Sequence, residues 1–126
     1  MPSDASTMET HAIVLVDRDG VIRVWSPGAA KLFGYDAASA FGQTLDLIVP
    51  ENYRERHWAG FGAAVSSGRP KLDQPAANLP VVCRGGTVAR FPGRLILLRD
   101  ALNQVVGAMG IFAPNDGSGG NGLPSV

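Results

Sequence analysis

Three short helical pieces crowd into the stretch from Val24 to Pro50, VWSPGAAKLFGYDAASAFGQTLDLIVP, and they restrict what this chain can become. The stretch leaves a β-branched run, Val21, Ile22 and Val24, and passes through Ser26-Pro27, a capping hydroxyl followed by a residue of fixed φ. Ala29 to Leu32 are good helix formers, Leu32 and Phe33 supply an apolar side, and Gly34 stops the turn. A second piece, Ala37 to Ala40, follows Tyr35-Asp36 and ends at Phe41-Gly42. Leu45, Leu47, Ile48 and Val49 make a third, closed by Pro50. Helices of one or two turns do not hold themselves in water, so these three must lie on a larger apolar surface. The rest of the chain has to build that surface as a sheet.

The flanking segments read accordingly. Residues 1–11 form a mobile arm with a short helix from Ser6. Ala12 to Asp17 and Val21 to Trp25 pair as a hairpin across Arg18-Asp19-Gly20. Glu51 to Ser67 is the longest helix, with Tyr53, His57, Trp58, Phe61, Ala64 and Val65 in one arc and Arg54 interrupting it. Gly60 and Gly62 weaken that helix by roughly 1 kcal/mol each relative to alanine, so its order depends on packing or on something bound. Residues 69–80 contain three prolines and read as a loop, either a plain surface connection or a lid. Val81 to Arg84 and Thr87 to Arg99 form a second hairpin, Val105 to Phe112 completes the sheet, and residues 114–126 are a flexible tail or a linker.

The run W-S-x-G-A-x-x-L-F-G-Y, then F-G-x-x-L, I-V-P-E and R-E-R-H, resembles the PAS domains of bacterial sensor proteins over residues 12–113. The resemblance implies an α+β fold, a five-stranded antiparallel sheet with short helices and one longer helix on one face. It further implies a sensory and protein-interaction module of signal transduction, often with a small-molecule cavity between the long helix and the sheet. One departure concerns the last strand, which ends in Phe112-Ala113-Pro114-Asn115. Proline there does not begin a continuous strand-to-helix lever, which shifts expected coupling to the amino-terminal arm or the sheet face.

The residues expected to converge on the cavity are Phe33, Leu45, Ile48, His57, Phe61, Val65, Phe91, Leu95 and Met109, with Trp25 and Trp58 at its edges. They describe either a filled core or the lining for a small apolar or aromatic ligand, and the small residues Ala59, Gly60, Gly62, Ala63 and Ala64 favour spare volume. His57 sits where a haem-binding sensor of this kind would carry its axial ligand, so a haem gas or redox sensor is one alternative. A purely structural dimerisation domain is another. A flavin photoreceptor would need its cysteine in a helical segment, whereas Cys83 falls on a strand and reads as an inert core thiol.

Composition narrows the partners. Eleven basic and eleven acidic residues balance, so the charge footprint of nucleic-acid binding is missing. No apolar run spans a membrane and no secretory signal opens the chain, which with a single cysteine indicates a cytoplasmic protein. No metal-spaced Cys/His cluster, nucleophile elbow or phosphate loop is present, which argues against catalysis. Both alternating faces of the opening strand are apolar, and in the long fourth strand the face that carries Arg90 and Arg94 also carries apolar Ile96 and Leu98, whereas a sheet covered on one side should be polar on the other. The outer face, assigned Val14, Ile96 and Leu98, is therefore expected to meet a second copy or a partner signalling protein.

Overall fold

The computed structural model describes residues 6–67 and 76–114. Its elements are α1 (Ser6–Thr10), β1 (Ala12–Asp17), β2 (Ile22–Trp25), α2 (Pro27–Phe33), α3 (Ala37–Ala40), α4 (Arg54–Ser67), β3 (Ala76–Val82), β4 (Val88–Arg99) and β5 (Val105–Phe112). Single 3-10 turns, Leu45–Leu47 and Glu51–Tyr53, lead into α4. The third expected helical piece is thus one 3-10 turn, and the long helix is 14 residues, starting after a turn at Glu51.

The five strands run in the order β2-β1-β5-β4-β3, and every pairing is antiparallel. The expected loop over residues 69–80 is corrected in its second half, because β3 begins at Ala76 and carries Pro80 opposite Arg90. Proline lacks the amide a central strand needs, but β3 is an edge, where one side of the strand makes no ladder bonds. The first half of that loop, with any lid it forms, and the tail beyond Pro114 lie outside the described residues.

Ser26 explains why α2 starts where it does. Its hydroxyl accepts from the amide of Ala29 at 3.1 Å, capping the helix, and from the amide of Ile13 at 2.9 Å. It donates to the carbonyl of His11 at 3.0 Å, so one buried side chain fixes α2 to the start of β1. Farther on, Ile22 donates to Gln43 O and Gly42 to Ile22 O, and Val82 donates to Ile48 O. These backbone bonds seat the short helices on the sheet.

The registers define two faces. Ala12, Val14, Val16, Phe91, Leu95, Leu97, Ala108 and Phe112 face the helices, and Ile13, Leu15, Arg94, Ile96, Leu98, Met109 and Ile111 face away. Val14, expected on the outer face, belongs to the core with 3 % exposure. Leu15 takes the outer position, since neighbours along a strand point oppositely.

Candidate functional site

Phe33 is the centre of the helix-facing layer. It is fully buried, with ring centroids 5.3 Å from Phe91, 5.3 Å from Phe112 and 5.8 Å from Trp25, all edge-to-face. Such rings prefer this geometry, and the contacts tie α2 to β2, β4 and β5 at once. Trp25 spends its indole N–H on Tyr35 O at 2.8 Å. Ile48 is buried in the same cluster, and Leu45 packs half-buried against it. This half of the expected lining belongs to the main hydrophobic cluster.

The other half is different. His57, Trp58 and Phe61 of α4 form a second ring cluster, with His57 5.0 Å from Trp58 and stacked 6.2 Å from Phe61. All three are half-buried, and Phe61 alone of them reaches the main core. Val65 is half-buried one turn on, and the α4 side chain that is fully covered is Ala64. The arc read from the sequence therefore faces inward, while Glu55, Arg56, Ala59, Gly62 and Ala63 are exposed. Arg54, which interrupts the arc, turns its guanidinium onto the carbonyls of Val49 and Asp46, at 3.2 Å each.

Burial pushes the His57 pKa below its usual value, and the nearby Asp46 charge offsets part of that shift. The imidazole is held neutral. Its Nδ1 is buried with no hydrogen-bond partner, a costly arrangement unless something else supplies one. Burial likewise raises the Cys83 thiol, whose sulfur lies 3.8 Å from Leu32 O on the strand side of the core, a setting that disfavours the reactive thiolate.

Two expected members separate from the rest. Met109 pairs with Leu15 on one side and Ile96 on the other, which puts it on the outer face, away from α4. Leu95 has the correct parity and is half-buried. Phe112, not anticipated, fills the position Met109 was expected to take, and Asp46, also missed, accepts the Trp58 indole N–H at 2.7 Å. Among the described residues no group of His, Cys, Asp and Glu is arranged to hold a metal ion, and no helix is long and apolar enough to cross a membrane.

Comparison with known proteins agrees with this arrangement. The family model described as PAS fold matches residues 9–114. The sensor protein FixL of Bradyrhizobium diazoefficiens is 34% identical over 61 residues, a match covering 40% of this chain and 12% of that protein's length. A PAS domain from Colwellia psychrerythraea superposes with a TM-score of 0.72 at 22% identity, covering 87% of this chain and 92% of that one. The PAS domain of the Cronobacter turicensis quorum-sensing receptor RpfR, solved in complex with BDSF, superposes with a TM-score of 0.62 at 14% identity over 82% of this chain and 93% of its own. The match spans most of the described residues and includes every strand and helix that builds the aromatic layer, so the chain belongs to the PAS family of sensory domains.

Proposed function

We propose that the protein is a sensory and protein-interaction module of bacterial signal transduction, in which a small apolar or aromatic molecule lodges between α4 and the sheet. The observation that carries this reading is the state of α4. Its inner rings are half-buried and its buried His57 Nδ1 lacks a partner, in a helix weakened by Gly60 and Gly62. A ligand with an apolar body and one hydrogen-bonding group completes both deficits. Binding then signals by favouring one placement of α4 over another, since a ligand shifts an equilibrium only by its differential affinity. The outer sheet face, through Leu15, Ile96 and Leu98, or the amino-terminal arm passes the change to a second copy or a partner.

The test is native mass spectrometry of the protein purified from bacterial cells. A retained small molecule, lost on Phe61→Ala, supports the reading. A bare chain that no member of a fatty-acid and aromatic panel stabilises against heat contradicts it.

A haem sensor is the second reading, favoured by the neutral imidazole of His57, the form that ligates iron. The fit is incomplete, because a ligating histidine is normally oriented by an acceptor on its other ring nitrogen and Nδ1 has none. A Soret band after expression with haem, abolished by His57→Ala, would establish it. A structural dimerisation domain without ligand predicts a stable dimer and no retained mass.

A further inference from the structure

Among the described residues, the layer between α4 and the sheet holds one buried side-chain polar atom without a partner, Nδ1 of His57. A neutral imidazole has one N–H and one bare nitrogen, so what Nδ1 lacks depends on where the proton sits. Native interiors tolerate an unfilled acceptor better than an orphaned N–H, which assigns the proton to Nε2 and leaves Nδ1 as the acceptor. The missing partner is then a hydrogen-bond donor.

The surroundings restrict the charge that donor can carry. The strand residues facing α4, among them Val14, Phe91, Leu95 and Ala108, are apolar. Of the two cations in α4, Arg56 is exposed beside the Tyr53 ring, and Arg54 is spent on the carbonyls of Val49 and Asp46. Arg94 of β4 is half-buried but belongs to the opposite face. The charge that does bear on His57 is the Asp46 carboxylate, whose Oδ1 holds the Trp58 indole. An anion against Nδ1 would therefore find no counter-charge among the described residues and would be repelled by Asp46, a costly burial. An ammonium would bring three donors to a single free acceptor and leave the others unpaired.

Resting on the reading that a small molecule lodges between α4 and the sheet, we propose that this molecule is an uncharged aromatic compound with a single O–H or N–H donor, a phenol or an indole, hydrogen-bonded to Nδ1 of His57. The arrangement of the α4 rings argues for the aromatic body. A hydrogen bond to Nδ1 lies in the plane of the imidazole, and the Phe61 ring is tilted only 23° from that plane, with its centroid 6.2 Å away. A flat molecule held at Nδ1 can therefore lie nearly parallel to Phe61, which itself packs on the main core. Trp58 stands across both rings, at 76° to His57 and 83° to Phe61, the orientation for edge-to-face contact. An alkyl chain gains nothing from these ring orientations.

The probes share one body: naphthalene and its hydroxyl, acetyl, carboxylate and aminomethyl derivatives, which near neutral pH present no polar group, a neutral donor, an acceptor, an anion and a cation. Equilibrium dialysis against the full chain should show naphthol binding about tenfold tighter than naphthalene, acetylnaphthalene level with naphthalene, and both ions weaker. Decanol, an alkyl donor with the same number of carbons as naphthol, should bind more weakly than naphthol. His57→Phe, checked for folding by circular dichroism, should bring naphthol level with naphthalene on the same variant, and Phe61→Ala should weaken both. Nitrogen NMR of the wild-type imidazole without ligand, which depends on no variant, should find the proton on Nε2. Acetylnaphthalene as tight as naphthol, or the proton on Nδ1, overturns the donor assignment. Naphthoate or the amine binding tightest overturns the neutral charge, decanol binding tighter than naphthol overturns the aromatic body, and naphthol held equally by His57→Phe and the wild type overturns the role of His57; each of these leaves a small-molecule site standing. No binding by any probe overturns both this inference and the reading it rests on.

Discussion

The indole Nε1 of Trp58 donates to Oδ1 of Asp46 at 2.7 Å, a bond that joins the middle of α4 to the 3-10 turn Leu45–Leu47. The outer edge of the same indole abuts Gly20 in the β1–β2 turn, so close that a Cβ there would meet its Cη2 and Cζ3 at 2.3 and 2.4 Å. One side chain therefore clamps the long helix to two other parts of the fold. The clamp holds the first half of α4, whereas the second half meets the fold through Phe61, packed against the main core, and the buried Ala64.

Trp58→Phe removes the donor to a partly buried carboxylate and withdraws the indole edge that abuts Gly20. Urea unfolding should show a loss of about 1.5–3 kcal/mol, the range for a hydrogen bond to a charged group. Asp46→Asn, which retains an acceptor oxygen, should cost less than Asp46→Ala.

Gly20 and Gly42 both have positive φ, +78° and +85°, but only Gly20 has a neighbour in the way. Gly42→Ala should cost roughly 1 kcal/mol, the conformational term alone. Gly20→Ala should cost at least about 2 kcal/mol, because Trp58 must also move. Combining Gly20→Ala with Trp58→Leu should recover part of that excess, a coupling that a double-mutant cycle reads directly.

The two faces of β5 can be told apart by truncation. Phe33→Ala, at the centre of the ring layer, should destabilise by about 3–5 kcal/mol. Phe112→Ala should fall in the same range, and Met109→Ala on the outer face should fall clearly below it, measured by denaturant titration in each case.

Stability should depend on pH through His57. Its pKa is lowered from 6.5 by burial, so below that value the unfolded chain takes up a proton that the folded chain refuses. Stability should be flat above about pH 6.5, fall as the pH drops through 6.5 toward the folded pKa, and level off beneath it. Asp17, whose carboxylate gains turn amides and Arg23 against the opposing effect of burial, titrates below 3.8 and acts only at more acid pH. His57→Phe, which preserves a ring between Trp58 and Phe61, should remove the slope between pH 7 and 5, followed by urea unfolding at each pH.

Most of the fold could be read from local signals, and the misreadings share a physical cause. The α4 arc was legible because Glu55 and Arg56 stand between its apolar residues and mark the solvent side. The faces of β1 and β5 were not. In VVGAMGIF both alternating sets are apolar, so the pattern cannot choose between Met109 and Phe112; the choice is made by Phe33, a residue far away in the chain. The same ambiguity in AIVLVD misplaced Val14. Pro80 hid the start of β3 because a proline argues against a strand unless the strand is known to be an edge. The Trp58 clamp depends on an acceptor 12 residues earlier in a 3-10 turn, beyond the reach of any local periodicity.

The dependence of α4 on a bound molecule is tested most directly by hydrogen–deuterium exchange over Arg54–Ser67. The protein as purified is compared with the same protein after unfolding, dialysis to strip anything bound, and refolding. Faster exchange in the stripped protein, confined to α4 and greatest after Trp58, is the predicted result. Identical exchange in the two samples, with α4 as protected as β1 and β5, would contradict it.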